Sequence, residues 1–149
     1  MSASSSRTRE LDDAVAIRLR AVGQRYTAKR RALVEVLRRA RRPLTIPEIL
    51  SRDRDFAQSS VYRNVMVLEQ ARVVHRLASA GGFARYELAD DLTEHHHHLV
   101  CTSCGSVEDL PASVGLERTV RAMEGLASRS GFAARSHRVD LLGLCRSCA

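Results

Sequence analysis

Two Cys-x-x-Cys pairs place the strongest constraint on how this chain can fold. The first pair is Cys101 and Cys104, and the second is Cys145 and Cys148. In a chain without export signals, such pairs are more typical of metal ligands than of disulfides. Two pairs supply four thiolates, which fill a tetrahedral zinc site and leave no coordination position open. One pair alone could be a redox motif, but two pairs predict a structural Zn²⁺ site.

The sequence carries no signal for export or membrane insertion. Residues 1–9 are rich in Ser and Arg and contain no apolar stretch of the kind found in secretory signals. No apolar run approaches the roughly 18 residues that a membrane helix needs. We therefore expect a cytoplasmic protein that has no membrane partner.

The net positive charge is confined to the first part of the chain. Residues 1–90 contain 18 Lys and Arg against 10 Asp and Glu, whereas residues 91–149 contain 6 against 7. A domain that faces DNA phosphates has this kind of charge. A merely solvated basic surface has it too, so charge alone leaves both interpretations open.

Hydrophobic periodicity predicts a winged helix-turn-helix domain in residues 11–88, after a disordered N-terminus of residues 1–10. The expected helix starts are Asp12, Thr27, Thr45 in a capping box with Glu48, and either Ser59 or Ser60. Two strands at 73–77 and 83–88 then form a hairpin through Gly81-Gly82. In such domains the last helix enters the major groove of DNA and the hairpin lies along the backbone.

A polar hinge at 89–94 separates this domain from a small α/β domain at 95–149. The expected elements of the second domain are strands near 96–100, 107–109 and 135–142 and a helix over 111–130. A domain of this size needs a fastening such as zinc to be stable. The predicted fold class is therefore α+β, with the winged helix first and the four-cysteine zinc site in the second domain.

Four consecutive histidines, at positions 95–98, lie directly before the first cysteine pair. Side chains alternate across a strand, so His95 and His97 would point one way and His96 and His98 the other. The alternative is a solvated polar strand. Beside a four-cysteine site, the run favours two separate metal sites on opposite faces.

Each face of the histidine strand needs further ligands from elsewhere in the chain. For His96 and His98, the candidates are His75 and Glu87 on the two wing strands. This set contains no sulfur and is borderline between zinc and harder ions such as Fe(II) or Mn(II). A site shared by both domains would fix the angle between them. In a dimer, that angle sets the spacing of the two recognition helices.

For His95 and His97, the available partners are a carboxylate on the helix and a histidine on the last strand. These are Glu117 and His137. A lone His137 would more often be an ordinary structural histidine. It becomes a candidate ligand because of the residues expected around it.

Five stretches of the sequence together resemble the ferric and zinc uptake regulator (Fur/Zur) family of bacterial metal-dependent repressors. They are YTAKRR at 26–31, SVYRNV at 60–65, RYEL at 85–88, HHHHLVCTSCG at 95–105 and GLCRSC at 143–148. The resemblance covers nearly the whole chain from about residue 11. It implies a homodimer in which residues 95–149 form the dimerisation domain and the first domain binds operator DNA.

The resemblance also implies roles for individual residues. It places Arg25, Ser60, Tyr62 and Arg63 at the DNA, and the four cysteines in the structural zinc site. It places Glu87, His96 and His98 in a regulatory metal site, with His75 where zinc-type members have a ligand. It assigns the additional site to His95, His97, Glu117 and His137.

Three departures from the family pattern affect these assignments. Residues 42–45 contain no histidine where iron-type members have one, and no cysteine follows the second wing strand as in many zinc-type members. The regulatory site is thus a hybrid, for which we expect zinc first and iron next, with manganese as a further possibility. The helix after Glu117 is about one turn longer than usual, which makes Glu124 a rival ligand.

The predicted function is therefore a metal-dependent transcriptional repressor rather than an enzyme. One alternative is a peroxide sensor of the same fold, which an Asp near the regulatory site would favour and Glu87 disfavours. The other is a zinc-dependent hydrolase, for which the sequence offers no H-E-x-x-H or similar motif. We expect no small organic substrate.

Overall fold

The computed structural model describes residues 3–78 and 82–149. Within these residues lie five helices and six strands, which form two three-stranded sheets. In chain order they are α1 (Ala3–Ala21), α2 (Ala28–Ala40), β1 (Leu44–Thr45), α3 (Ile46–Arg52), α4 (Gln58–Gln70), β2 (Val74–Ala78), β3 (Ala84–Leu88), β4 (His96–Cys101), β5 (Val107–Pro111), α5 (Val114–Arg129) and β6 (Asp140–Gly143). Among the described helices, none is long and apolar enough to cross a membrane.

The first four helices pack on the sheet β1-β3-β2 around one apolar core. Apolar residues three or four positions apart turn one face of each helix inward. The buried set includes Val15, Leu19, Leu33, Leu37, Val61, Val65 and Leu68. Helices followed by an antiparallel hairpin make a winged helix, so this part of the predicted fold class is confirmed.

Local capping sets where the helices begin. Thr27 accepts a hydrogen bond from the backbone N–H of Arg30, and Thr45 forms the predicted capping box with Glu48. Helix α4 differs from expectation, because it begins at Gln58 after Ala57 and has no side-chain cap from a serine.

Helix α1 corrects the predicted disorder of the N-terminus. It begins at Ala3 rather than near Asp12, while residues 1 and 2 lie outside the described residues. Its first turns are supported by a hydrogen bond from Ser6 to Glu10 and by packing of Leu11 on the core. The predicted turn residue Gly81 also lies outside the described residues.

The linker between the two sheets is attached to the first domain. Residues Asp90–Leu92 form a short 3₁₀ turn in which Asp91 pairs with Arg18 of α1. The Arg18 guanidinium also donates to the carbonyl oxygen of Arg72, and Leu92 packs on the first core. The linker therefore holds a defined path.

The second sheet has the order β5-β4-β6. Strands β4 and β5 form an antiparallel hairpin around the first cysteine pair, and β6 runs parallel to β4. Strand β6 begins at Asp140, which pairs with His98, rather than near residue 135. Since β4 begins only two residues before His98, residues 135–137 have no partner on β4. The pairing of Cys101 with Gly143 brings the second cysteine pair beside the first.

Candidate metal centres and DNA-facing surface

The four cysteine sulfurs converge at the closed end of the β4–β5 hairpin, beside the turn that joins the two strands. Their Sγ atoms all lie within 4.8 Å of one another, and none of the four forms a disulfide. The backbone N–H groups of Cys104 and Cys145 point at the sulfur of Cys101 and lower the pKa of its thiol to about 6. Four convergent thiols, one of them readily deprotonated, fit a closed tetrahedral Zn²⁺ site. We call this set the cysteine cluster.

The pair His96 and His98 lies on one face of the strand, and the pair His95 and His97 lies on the other, as the alternation of side chains requires. His96 and His98 meet Glu87 of β3, whose Oε2 lies 3.2 Å from Nε2 of His96 and 3.0 Å from Nε2 of His98. Burial alone would raise the pKa of Glu87, but the hydrogen bonds from the two imidazoles lower it to about 2. The hydrogen bond to Glu87 in turn raises the pKa of His96 to about 9.

A fourth residue of this group, Asp109 on β5, was missed by the sequence analysis. Its Oδ1 lies 4.0 Å from Nε2 of His96 and is buried without a hydrogen-bond partner among the described residues. Burial raises the pKa of this carboxyl group. A buried carboxylate oxygen that faces two imidazoles and a second carboxylate fits a divalent metal site. We call Glu87, His96, His98 and Asp109 the regulatory cluster.

His75, which was predicted to be a ligand beside Glu87, lies outside the regulatory cluster. It pairs with Glu87 in the register of β2 and β3, as the hairpin requires. However, β2 is an edge strand and β3 is the central strand of this sheet. The His75 side chain is exposed, whereas Glu87 is buried.

The opposite face of the strand carries the third group, His95, His97, Glu117 and His137. Oε1 of Glu117 lies 2.7 Å from Nε2 of His97, and Nε2 of His95 lies 2.8 Å from Nε2 of His137. Nδ1 of the fully buried His97 has no partner among the described residues. We call this group the histidine-rich cluster.

Glu117 and Glu124 take different places around this cluster. Glu117 presents its carboxylate to His95, His97 and His137. Glu124 lies on the side of His137 that faces away from the cluster, with Oε1 3.2 Å from Nδ1 of that ring. Glu117 is therefore the carboxylate that faces the site, and Glu124 contacts the back of one imidazole.

The candidate DNA-facing residues lie on α4 and on the loop before α2. Tyr62 and Arg63 are exposed on α4, Ser60 is partly buried, and Arg25 is exposed on the loop. Behind them, Arg30 donates to the Asn64 side chain on α4 at 3.1 Å and to the carbonyl oxygen of Arg25. This guanidinium thus joins the loop to α4.

Apolar side chains are exposed on the second domain. They include Val114, Met123, Leu126, Phe132, Leu141, Leu142 and Leu144. Leu141 and Leu142 belong to β6, which is an edge strand of its sheet. So many exposed apolar side chains on a small domain are typical of a protein–protein interface.

Comparison with known proteins gives one consistent result. Residues 21–142 match the ferric uptake regulator family. The chain is 29% identical over 135 residues to the ferric uptake regulation protein of Legionella pneumophila, covering 87% of this chain and 95% of that protein. It is 28% identical over 145 residues to the peroxide-responsive repressor PerR of Staphylococcus aureus, covering 93% and 91% of the two chains.

A solved structure agrees with these relatives at the level of the fold. The ferric uptake regulator Fur of Helicobacter pylori superimposes with a TM-score of 0.71 at 24% identity, covering 95% of this chain and 93% of that chain. The family match spans most of the sequence, and it includes both wing strands and the histidine run. The chain therefore belongs to the ferric uptake regulator family of metal-responsive regulators.

Proposed function

We propose that this protein is a cytoplasmic homodimeric repressor that binds operator DNA when a divalent metal occupies the regulatory cluster. One observation carries the proposal. A single carboxylate oxygen of Glu87, on the wing of the first domain, lies within 3.2 Å of the imidazoles of both His96 and His98 in the second domain. Any ligand of this cluster therefore joins the two domains.

The residues of the cluster explain how binding would fix the domain angle. A divalent ion held by this cluster would supply the positive charge that balances its two carboxylates. Glu87 draws the wing toward β4, and Asp109 holds the opposite side from β5. His96 and His98 would hold the ion through the ring nitrogens that now contact Glu87, after losing the protons on those nitrogens. With the wing fixed, the α4 helices of a dimer are held at the separation that DNA half-sites require.

The donor set favours Fe(II) or Mn(II) over Zn²⁺ at this cluster. It contains two imidazoles, two carboxylates and no sulfur. The sequence-based preference for zinc depended on His75, and Asp109 takes the fourth place instead. Carboxylates suit harder ions, and the replacement of an imidazole by a carboxylate moves the set in that direction. The cysteine cluster, in contrast, suits structural Zn²⁺.

The DNA and the second subunit would be held by different domains. Tyr62 and Arg63 are exposed on α4, where a winged helix meets the major groove, and Arg25 extends from the adjacent loop. The apolar patch of the second domain, which includes Leu141 and Leu142, would be buried against its copy. We propose no catalytic activity, because the relatives are named as regulators.

Footprinting on promoter DNA tests this proposal. The wild-type protein would be stripped of metal at its histidine sites and then titrated with Mn(II), Fe(II) under anaerobic conditions, and Zn(II). We expect protection with Mn(II) or Fe(II) at lower concentration than with Zn(II), and no protection by the His96→Ala variant. Equal protection with and without added metal would overturn the proposal.

A second candidate function is a peroxide sensor, and the position of Asp109 favours it. An aspartate beside the regulatory ligands is the feature that the sequence analysis associated with this activity, and one relative is named a peroxide-responsive repressor. Mass spectrometry of the Fe(II)-loaded protein after peroxide treatment distinguishes the two. One added oxygen on His96 or His98 would support the sensor, and unmodified histidines would exclude it.

A further inference from the structure

Asp140 holds the back of one ligand of the regulatory cluster. Its Oδ1 lies 3.1 Å from Nδ1 of His98, while Nε2 of the same ring lies 3.0 Å from Oε2 of Glu87. The His98 side chain is only 3% exposed, so neither nitrogen can rely on water. A neutral imidazole carries one proton, and donating it from Nδ1 to a carboxylate leaves the Nε2 lone pair for a metal.

Asp140 is itself fixed in place. Nε of Arg138 donates to Oδ1 at 2.9 Å and Nη2 donates to Oδ2 at 2.5 Å, a two-pronged contact that sets the plane of the carboxylate. Asp140 also pairs with His98 in the parallel register of β4 and β6. It is absent from the group whose ligand atoms converge around Glu87. Its position therefore suits a residue that acts through His98.

The same arrangement recurs on two other rings. Nδ1 of His96 lies 2.9 Å from the backbone carbonyl oxygen of Glu94, and Nδ1 of His137 lies 3.2 Å from Oε1 of Glu124. In each case the oxygen contacts Nδ1, and Nε2 faces the cluster. Only His98 among the regulatory ligands depends on a side chain from β6, the strand that leads to the second cysteine pair.

We propose that Asp140, fixed by Arg138, is a positioning residue that holds His98 in the tautomer with Nδ1 protonated and Nε2 directed at the regulatory metal. This inference rests on the proposed function, since it assumes that the regulatory cluster binds a metal. It adds a residue on β6 to the determinants of metal affinity. Glu124 takes the equivalent role for His137 in the histidine-rich cluster.

Nuclear magnetic resonance of the ring nitrogens tests the proposal. The full chain contains six histidines, so long-range proton–nitrogen spectra of histidine-labelled protein can follow every ring during a titration with Zn(II). Metal affinity is read from the same spectra in competition with a chelator. In the wild-type protein we expect His98 to be protonated at Nδ1 and bound through Nε2.

The variants separate positioning from a merely structural role. For Asp140→Ala we expect Zn(II) affinity at His98 to fall about 10- to 100-fold, with mixed tautomers in the free ring. The signals of His95, His97 and His137 should keep their wild-type titration. Glu124→Ala is the matched control, which should weaken zinc binding at His137 and leave His98 unchanged. Arg138→Gln should reproduce a smaller loss at His98 and serves if Asp140→Ala does not fold.

Two results would overturn the inference. One is a wild-type His98 that binds through Nδ1. The other is an Asp140→Ala or Arg138→Gln protein whose His98 keeps both the wild-type tautomer and the wild-type affinity. Both results leave a regulatory cluster that binds metal, whereas a wild-type His98 that binds no Zn(II) at all would overturn the inference together with the proposed function on which it rests.

Discussion

Nε of Arg85, on the wing strand β3, donates a hydrogen bond of 3.0 Å to the carbonyl oxygen of Gly105, in the turn between β4 and β5. The same guanidinium reaches Glu48 of α3 through Nη1, also at 3.0 Å, and only 12% of its side chain is exposed. Gly105 directly follows Cys104, and its N–H donates to the carbonyl oxygen of Cys101. One arginine thus connects the helix-turn-helix to the cysteine cluster, independently of the regulatory cluster.

Replacing Arg85 with Met should therefore destabilise the protein. Hydrogen bonds to a charged group each contribute about 1.5–3 kcal/mol. Because Arg85 makes two of them, we expect the free energy of unfolding in urea to fall by about 3–6 kcal/mol. Arg76→Met on the neighbouring strand is the control, since Arg76 is exposed. Equal losses in the two variants would show that the connection contributes nothing specific.

Replacing Cys101 with Ser should remove the zinc and unfold the second domain. Cys101 is the buried member of the cysteine cluster, and structural zinc sites supply about 10 kcal/mol or more of folding free energy. Zinc content and circular dichroism measure the result. Ser147→Ala, inside the second pair, should retain its zinc. A zinc-free Cys101→Ser protein that stays folded as a dimer would refute the structural role.

Acid should weaken the first domain through Glu48. Burial alone would raise the pKa of Glu48, but the N–H of Thr45 and the guanidinium of Arg42 lower it from 4.5 to about 2. A folded-state pKa below the unfolded value gives stability that is complete above about pH 4.5 and is lost as the pH falls toward 2. The difference in unfolding free energy between wild type and Glu48→Gln should therefore shrink between pH 5 and pH 3.

The chain allows this measurement to be confined to the first domain. It contains no tryptophan, and its three tyrosines are Tyr26, Tyr62 and Tyr86. Tyrosine fluorescence therefore reports on the winged helix, whatever happens to the cysteine cluster in acid. A difference that stays constant with pH would contradict the assigned role of Glu48.

Arg30 should affect DNA binding without touching DNA. It connects Asn64 of α4 with the loop that carries Arg25, so Arg30→Gln should lower the affinity for a duplex selected with the wild-type protein. Because no phosphate contact is lost, the slope of log affinity against log salt should stay unchanged. Arg63→Gln is the comparison, expected to lower both affinity and slope if it contacts phosphate. A reduced slope for Arg30→Gln would show a direct contact instead.

The apolar edge of the second sheet should control the oligomeric state. Leu142 on β6 is 72% exposed, so Leu142→Glu should leave the fold intact and place a charge in the proposed dimer interface. We expect monomers in sedimentation at concentrations where the wild type is dimeric. Met66→Glu, on the first domain, should remain dimeric. A dimeric Leu142→Glu protein would place the interface elsewhere.

Much of this architecture follows from sequence patterns. The winged helix was predicted because its helices bury residues at helical spacing, and the family match agrees. The cysteine cluster was predicted from two short motifs, and the chain brings its four sulfurs together. Both depend on local patterns that a single sequence displays.

Asp109 shows where sequence reasoning stopped too early. Strands at 96–100 and 107–109 were both predicted, and a hairpin that closes on the first cysteine pair places Val100 opposite Val107. Counting outward from that pair puts His98 opposite Asp109. The signal was therefore present in the register, although no motif marks a lone aspartate on a strand.

The placement of His75 outside the regulatory cluster could not be foreseen, for a different reason. Its pairing with Glu87 follows from the hairpin and is present. Whether a paired side chain also reaches a site depends on which strand forms the edge of the sheet and how the domains meet. Those are properties of tertiary packing, which the alternation within one hairpin does not contain.

The four consecutive histidines have a consequence for how such a protein can change over time. Because successive residues lie on opposite faces of the strand, inserting or deleting one residue within 95–98 would shift the histidines on one side of the change to the other face, and one cluster would lose a ligand. Within the run, the metal preference of the ligands on either face can thus change only when one amino acid replaces another. The run is a segment of fixed length, in which any change of metal preference must arise by point substitution.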